Sequence, residues 1–357
     1  MSNKFRNFKR IALYFLIIHY SLLITNCSKR FDPEPLSLTA KQNLALLQSD
    51  PQFVMYFNFK KMRETEFWDK FISDSLLNSE RNFGNFLYTL KQATGVSITK
   101  GIDELYFSNS WMGDNALVVK GAFDRNKIDE YIKTDTSYTK ITHQKGFTVY
   151  KDEVKNFYFY FKDDFTVCAS NYLNQIEATF DVKDTSQAGL LTNASALNTV
   201  ENILHKEHLW MMSSQKLFIR GIFENFYDMQ RVNKNETPGS SSGDSLSLKD
   251  SAETDAADLT AIYKNINAVS FSLKMSERID LVMQNECEDV KSADELKNTL
   301  DGIITLTKIS TSLSKKRPDA VVSLLDKLSL SVHDKTVLLE LPVNEKQVTE
   351  IRKQKAF

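Results

Sequence analysis

Two histidines form the metal-like spacing of this chain, His205-Lys206-Glu207-His208. On a helix, an H-x-x-H pattern places both imidazoles on one face, where they could share a zinc ion. Two ligands do not complete a zinc site, however, and the glutamate stands in the wrong order for a metalloprotease helix. The apolar run that begins at Leu209 indicates that both histidines lie at a helix end, in solvent. We therefore expect no metal and no cofactor, with His205 and His208 as weak ligands only.

Catalytic signatures are absent from the sequence, which has no G-x-S-x-G elbow, no P-loop and no G-x-G-x-x-G turn. The acidic pair Asp163-Asp164 lies between two strand-like runs and is typical of a hairpin turn. An enzyme built on this chain would have to assemble its site from distant residues, as an envelope hydrolase could do. That reading stays as the alternative to a protein that binds or scaffolds and is not an enzyme.

The N-terminal segment has the pattern of an export signal. Four basic residues precede the apolar run from Ile11, which is short for a membrane span and ends at Cys27. The residues Ile24-Thr25-Asn26-Cys27 resemble the lipobox of bacterial lipoproteins, although Asn26 stands where most lipoboxes have Gly, Ala or Ser. This resemblance implies cleavage before Cys27, acylation of that cysteine and anchoring to a bacterial envelope membrane through the acyl chains. An ordinary secretory signal is the alternative.

The two remaining cysteines, Cys168 and Cys287, would lie in a compartment that permits disulfides. Each stands near the end of a strand-like run, and buried free thiols are the more frequent outcome for such positions. We therefore expect two free thiols, while a bridge between them stays open.

Charge argues against nucleic acid as a partner. The leader carries four Lys and Arg residues, so its removal shifts the formal net charge from −1 to −5. Basic clusters such as Lys60-Lys61 and 315–317 are isolated and lack an aromatic-rich basic face.

Strand pairs followed by helices recur along the chain and predict the fold class. Runs at 102–110 and 116–123 flank a turn, and Asp124 can cap the helix that follows. Near the end of the chain, a Ser292-x-x-Glu295 capping box and Asn344 each follow a strand pair in the same way. We predict an α+β fold with antiparallel sheet built from hairpin-plus-helix units, with helices covering one face.

The organisation predicted from composition has five parts. A Ser-, Asp- and Gly-rich stretch separates two α+β regions, and the sequence leaves open whether these regions share one sheet. The parts are a signal peptide at 1–26, a tether at 27–38, an N-terminal domain at 39–232, a disordered linker at 233–257 and a C-terminal domain at 258–357.

An amphipathic helix at 215–232 supplies the predicted binding surface. Its aromatic stripe is broader than a helix needs in order to dock on a sheet, and it precedes the flexible linker. A core role for such a stripe is the more common outcome. The alternative is a surface for an apolar ligand or an envelope protein, formed by Phe218, Ile222, Phe223, Phe226 and Tyr227. We therefore expect an envelope lipoprotein that binds or scaffolds, with a lipid or other apolar molecule as the more specific ligand.

Overall fold

The computed structural model describes residues 32–71, 84–143, 146–183, 186–224, 263–313 and 324–355. The predicted leader at 1–26, the lipidation site Cys27, the linker at 233–257, and Phe226 and Tyr227 lie outside the described residues. None of the helices in the described ranges combines the length and apolar character that a membrane crossing requires.

Twelve strands form one antiparallel sheet. Their order across the sheet is β11-β12-β10-β9-β8-β1-β2-β3-β7-β6-β5-β4. The strands are β1 (Phe53–Asn58), β2 (Ile102–Asn109), β3 (Asn115–Gly121), β4 (Tyr138–Thr142), β5 (Thr148–Asp152), β6 (Phe157–Asp163), β7 (Thr166–Ser170), β8 (Leu209–Ser213), β9 (Ile266–Met275), β10 (Arg278–Cys287), β11 (Ser329–His333) and β12 (Thr336–Asn344).

Helices connect the strands and follow the hairpins, as the sequence pattern predicts. They are α1 (Leu38–Leu44), α2 (Phe59–Arg63), α3 (Glu66–Phe71), α4 (Gly84–Thr94), α5 (Arg125–Thr134), α6 (Leu173–Thr179), α7 (Ala194–Glu201), α8 (216–224), α9 (Val290–Leu313) and α10 (Glu345–Lys355). The α+β class and the antiparallel sheet are thereby confirmed. The predicted turn at Asp163-Asp164 also joins β6 to β7 as expected.

Local capping explains where several helices begin. The Asp124 carboxylate accepts hydrogen bonds from the backbone N–H groups of Asn126 and Lys127 at the start of α5, as predicted. Asn344 and Gln347 form a reciprocal pair at the start of α10, with both hydrogen bonds at 3.0 Å. The predicted capping box at Ser292 is wrong. Asp289 instead accepts from the Ser292 N–H at 2.7 Å, so α9 begins earlier.

The sheet separates two hydrophobic faces in its first half. Successive residues of a strand point to opposite sides, so Phe57 and Leu105 lie on what we call the front face, whereas Tyr56 and Tyr106 lie on the back face. Helices α2 to α5 pack on the front face and α1, α6 and α7 on the back face. The prediction of helices on one face is therefore corrected. Both faces of these strands are apolar, and each needs its own cover.

The two predicted regions share this one sheet, because β8 pairs with β9. β1 and β8 pair antiparallel at its centre, with Met55 opposite Met211. Among the described residues, each half runs strand, helical connection, hairpin, helix, hairpin, helix. The first half has three helices in its first connection, where the second has α8, and it also has the extra hairpin β4–β5. The N-caps Ser37 and Asn193 each precede the next strand by the same 16 residues. The described chain is thus a structural duplication around an approximate twofold axis between Met55 and Met211.

Candidate functional site

The front face carries two separate hydrophobic cores. The first lies under α2 to α5 and includes Trp68, Leu90 and Ile128. The second lies under α8 and α9 and is built on Ile219 and Leu296. Strands β1, β8, β9, β10 and β12 run between them, and these strands form the surface described next.

We use the name open floor for nine apolar side chains that point to the front from these five strands. All nine are half-buried, and six of them pack against one of the two cores. They form two rows of directly paired residues: Met55, Met211, Phe271, Met283 and Leu339 in one row, and Leu209, Leu273, Leu281 and Leu341 in the other. Five strands at a spacing of about 4.8 Å make this floor about 19 Å wide.

The duplication provides an internal comparison for the open floor. Phe107 pairs with Met55 and with Leu117 in the first half, just as Phe271 pairs with Met211 and Met283 in the second. Phe107 and Leu117 are each only 2% exposed, while Phe271 and Met283 are half-buried.

The difference follows from helix placement. In the first half, Phe107 and Leu117 belong to the core under α2 to α5, where α2 contacts β2 and Phe86 of α4 packs on Phe159 of β6 with 5.3 Å between ring centroids. In the described part of the chain between β8 and β9, α8 places Ile219 and Phe223 in the second core, and Phe271 and Met283 stay half-buried beside it. The second half therefore exposes a surface that the first half buries.

Helix α8 borders the floor on one side. Its Phe218 stacks on Phe53, with ring centroids 5.5 Å apart and an interplanar angle of 28°. Ile219 is fully buried and Phe223 is 7% exposed, both in the second core, and Ile222 packs against that core. Of the predicted surface residues, the structure thus places Phe223 in the core and leaves Phe218 and Ile222 half-buried at the border. Their role in ligand contact stays a prediction.

Helices α3 and α10 meet at the other side. Lys70 Nζ lies 2.9 Å from Glu345 Oε2, and the Arg352 guanidinium lies over the Phe71 ring, 5.8 Å from its centroid. The Lys70–Glu345 pair is between exposed groups, so it adds little to stability. Met275 and Ile279, at the same ends of β9 and β10, pack against the first core. The open floor is therefore bounded by helices from both halves.

The H-x-x-H pattern lies in the turn before β8 and not on a helix, which corrects the expected placement. His208 is buried, and its Nδ1 accepts a hydrogen bond from the Met275 N–H at 3.3 Å. Burial lowers its pKa below the ordinary value. No group of three His, Cys, Asp or Glu side chains in the described ranges is arranged to hold a metal ion.

Both cysteines are buried free thiols, as predicted. Cys168 belongs to the core on the back face and Cys287 to the second core on the front face. Burial raises the pKa of Cys168 to about 12 and that of Cys287 to about 11, so neither is a reactive nucleophile at neutral pH.

The chemistry of the open floor differs from that of a hydrolase. None of its nine side chains titrates or carries a nucleophile. A histidine–carboxylate pair does occur, between His143 Nε2 and Glu177 Oε1 at 3.2 Å, but His143 packs beside Phe180 of the core on the back face. The pair and the floor are thus on opposite sides of the sheet.

The floor residues escaped prediction from the sequence because the strands that carry them look like core strands. Its three methionines, five leucines and one phenylalanine are typical core residues, and only the long-range pairing of β8 with β1 and β9 places them side by side. The signal that could have identified them is the 16-residue spacing repeated at Ser37 and Asn193. That spacing would have aligned Met55 with Met211.

Comparison with known proteins finds no matching family model and no matching curated protein. Among solved structures, the chain is similar to crystal form III of TP0453, with a TM-score of 0.45 and 10% identity over 90% of this chain and 98% of that chain. It is also similar to crystal form I of TP0453, with a TM-score of 0.43 and 9% identity over 86% of this chain and 95% of that chain.

Proposed function

We propose that the protein binds an extended apolar molecule, such as a lipid acyl chain, on the open floor between α3 and α8. The observation that carries this proposal is the unequal burial of equivalent residues, Phe107 and Phe271, in a duplicated fold. A contiguous apolar surface that the protein leaves partly exposed is a usual mark of a ligand or partner site.

The shape and chemistry of the floor suit a chain-like ligand. A width of about 19 Å accommodates an extended acyl chain laid across the strands. Burial contributes about 0.8 kcal/mol per CH₂, so roughly ten buried methylenes supply about 8 kcal/mol, the free energy of a micromolar complex. Met55, Met211 and Met283 lie in one row, and unbranched thioether side chains adapt to ligands of irregular shape.

The predicted export signal and lipidation site at the N-terminus support the same function. A chain acylated at Cys27 would stand beside a membrane, where acyl-chain ligands are abundant. We therefore place the proposed binding activity in a bacterial envelope.

A displacement assay tests the proposal. Cys27→Ser protein without its leader would be titrated with a fluorescent fatty acid, and bound probe would then be displaced with unlabelled lipid. We expect saturable micromolar binding. Met211→Gln places one amide in the first row of the open floor, and Leu281→Gln places one in the second. Either variant should weaken binding at least tenfold, because the amide must lose its hydration under the bound chain.

The matched control is Met112→Gln. Met112 is 84% exposed in the turn between β2 and β3, two strands that contribute no residue to the open floor. This variant should bind like wild type. The proposal is refuted if no probe binds saturably, or if Met112→Gln weakens binding as much as Met211→Gln does.

A further inference from the structure

Three large apolar side chains are exposed at one end of the sheet, on neighbouring segments. Trp111 and Met112 stand in the turn between β2 and β3 and are 50% and 84% exposed. Tyr172 is 47% exposed and stands two residues after the end of β7, the strand that pairs with β3. Asn171 joins the two segments, because its Nδ2 donates to the Gly113 carbonyl at 2.9 Å. We use the name apolar tip for Trp111, Met112 and Tyr172.

The turn that carries most of the tip has a fixed backbone. The Ser110 N–H donates to the Asp114 carbonyl at 2.8 Å, and the Gly113 N–H donates to the Ser110 carbonyl at 3.1 Å. The Ser110 hydroxyl accepts from the N–H groups of Met112 and Asp114, both at 3.2 Å. Gln48 also holds the turn, because its Nε2 donates to the Asp114 carbonyl at 2.7 Å. Since these four N–H groups are already paired, the turn can enter the edge of a bilayer at a lower cost in desolvation.

Acidic and neutral residues surround the apolar tip. The segments 48–51, 110–114 and 170–174 contain two carboxylates, Asp50 and Asp114, and no Lys or Arg. Anionic lipids and nucleic acids bind to basic surfaces, so neither suits this one. Two copies of the tip placed against each other would bring like charges together, which disfavours self-association through this surface. The charge pattern therefore favours an uncharged apolar partner.

The arrangement of the exposed side chains favours a bilayer as that partner. Val154 is also exposed, in the turn between β5 and β6 at the same end of the sheet, and the adjacent Lys155 is paired with Asp152. These apolar side chains project from separate turns, and Trp and Tyr are enriched at the headgroup level of membranes. Cys27 and Pro33 are six residues apart, which is about 20 Å of extended chain. Acylation of Cys27 would therefore keep the folded body near a membrane surface.

We propose that the apolar tip inserts into the headgroup region of an uncharged lipid bilayer and orients the protein on the membrane to which Cys27 anchors it. The orienting role rests on the predicted acylation, whereas the contact itself depends neither on the acyl chains nor on the open floor. Three side chains bury less apolar area than one acyl chain, whose association constant with a bilayer is about 10⁴ M⁻¹. The tip alone therefore binds weakly, at about millimolar lipid.

Tryptophan fluorescence tests the contact. Of the three tryptophans, Trp68 and Trp210 are buried, so Trp111 is the one that reports a change at the surface. Cys27→Ser protein without its leader would be titrated with phosphatidylcholine vesicles. We expect a blue shift of the emission, and quenching by lipid that carries a spin label near its headgroup. Adding anionic phosphatidylglycerol to the vesicles should not strengthen binding.

Matched variants locate the contact by co-sedimentation with the same vesicles. The double variant Trp111→Gln, Met112→Gln should bind at least tenfold more weakly, because it loses most of the apolar surface of the tip. Phe165→Gln is the control, because Phe165 is an exposed apolar residue in the turn between β6 and β7, at the opposite end of β7. This control should bind vesicles like wild type. Met211→Gln should also do so, although it binds the fluorescent fatty acid weakly.

The opposite results overturn the inference. It is wrong if wild type does not bind the vesicles, or if the double variant binds them as tightly as Phe165→Gln does. A shift of the Trp111 emission with rising protein concentration, in the absence of vesicles, would assign the tip to a second copy of the chain. Loss of vesicle binding in Met211→Gln would place the lipid contact on the open floor, which refutes this inference and supports the proposed function. Vesicle binding without fatty-acid binding would refute the proposed function alone.

Discussion

Truncation of Phe107 and of its equivalent Phe271 to alanine tests whether these two residues differ in burial. Phe107 is 2% exposed, lies between Met55 and Leu117, and has the Phe53 ring at 5.7 Å. Phe107→Ala should therefore cost about 3 to 5 kcal/mol, the range for a buried phenylalanine that leaves a cavity. Phe271 has similar neighbours along its row, but it keeps contact with solvent. Phe271→Ala should cost only about 1 to 2 kcal/mol, because less apolar area returns to water.

The assay is urea denaturation of the Cys27→Ser protein, followed by tryptophan fluorescence. Phe165→Ala serves as the control, because Phe165 is 63% exposed in the turn between β6 and β7 and its loss should change the free energy of unfolding by less than about 0.5 kcal/mol. Saturating ligand at 100 times its dissociation constant should add about 2.7 kcal/mol to wild type and less to Phe271→Ala. Equal costs for Phe107→Ala and Phe271→Ala would show that the floor is closed core. The proposed site would then lose its main support.

Four further predictions address the rest of the chain. Burial lowers the pKa of His208 below 6.5, so the unfolded chain binds the extra proton more readily than the folded chain does. Stability should therefore fall as the pH drops below 6.5. The urea midpoints measured at about pH 7.5 and 5.5 should differ more in wild type than in His208→Gln. Cys168 and Cys287, whose pKa values are raised to about 12 and 11, should react with iodoacetamide only after denaturation; labelling of native protein would contradict their burial. Cys27→Ser should abolish palmitate incorporation and release the exported protein from membranes; complete retention in the membrane fraction would refute acylation as the anchor. Replacing 233–257 by a short Gly-Ser linker should preserve folding, and insoluble protein would show that the segment is structural.

Local patterns predicted the elements well because their causes are local. Asp124 and Asn344 begin helices through hydrogen bonds to residues two or three positions away, and these appear directly in the sequence. Ser292 shows how such a prediction fails. Asp289 stands three residues earlier and accepts the hydrogen bond from the Ser292 N–H that Glu295 would accept in the predicted capping box.

The open floor could not be predicted because its cause is non-local. Met55 and Met211 are 156 residues apart in the chain, and they become neighbours only when β1 and β8 pair. No short turn connects these two strands, so the local sequence does not signal their pairing.

The same argument applies to the question of which face of the sheet each helix covers. Tyr56 and Phe57 are both apolar, so alternation does not show that one side of β1 faces α7 and the other faces α2.

The duplication also explains how one sheet can have a buried half and a half-buried half on the same face. Two identical halves would place equivalent helices over equivalent strands and bury both halves of the front face equally. Here the row centred on Met55 and Met211 is symmetric in its pairing but not in its burial. Phe107 and Leu117 are buried in the core under α2 to α5, whereas Phe271 and Met283 stay half-buried beside the core that contains α8. A difference in one connection between strands is enough to leave the floor half-buried while the strand order stays the same. Mutations in the floor should therefore alter binding more than folding, whereas mutations at the equivalent positions of the first half should do the opposite.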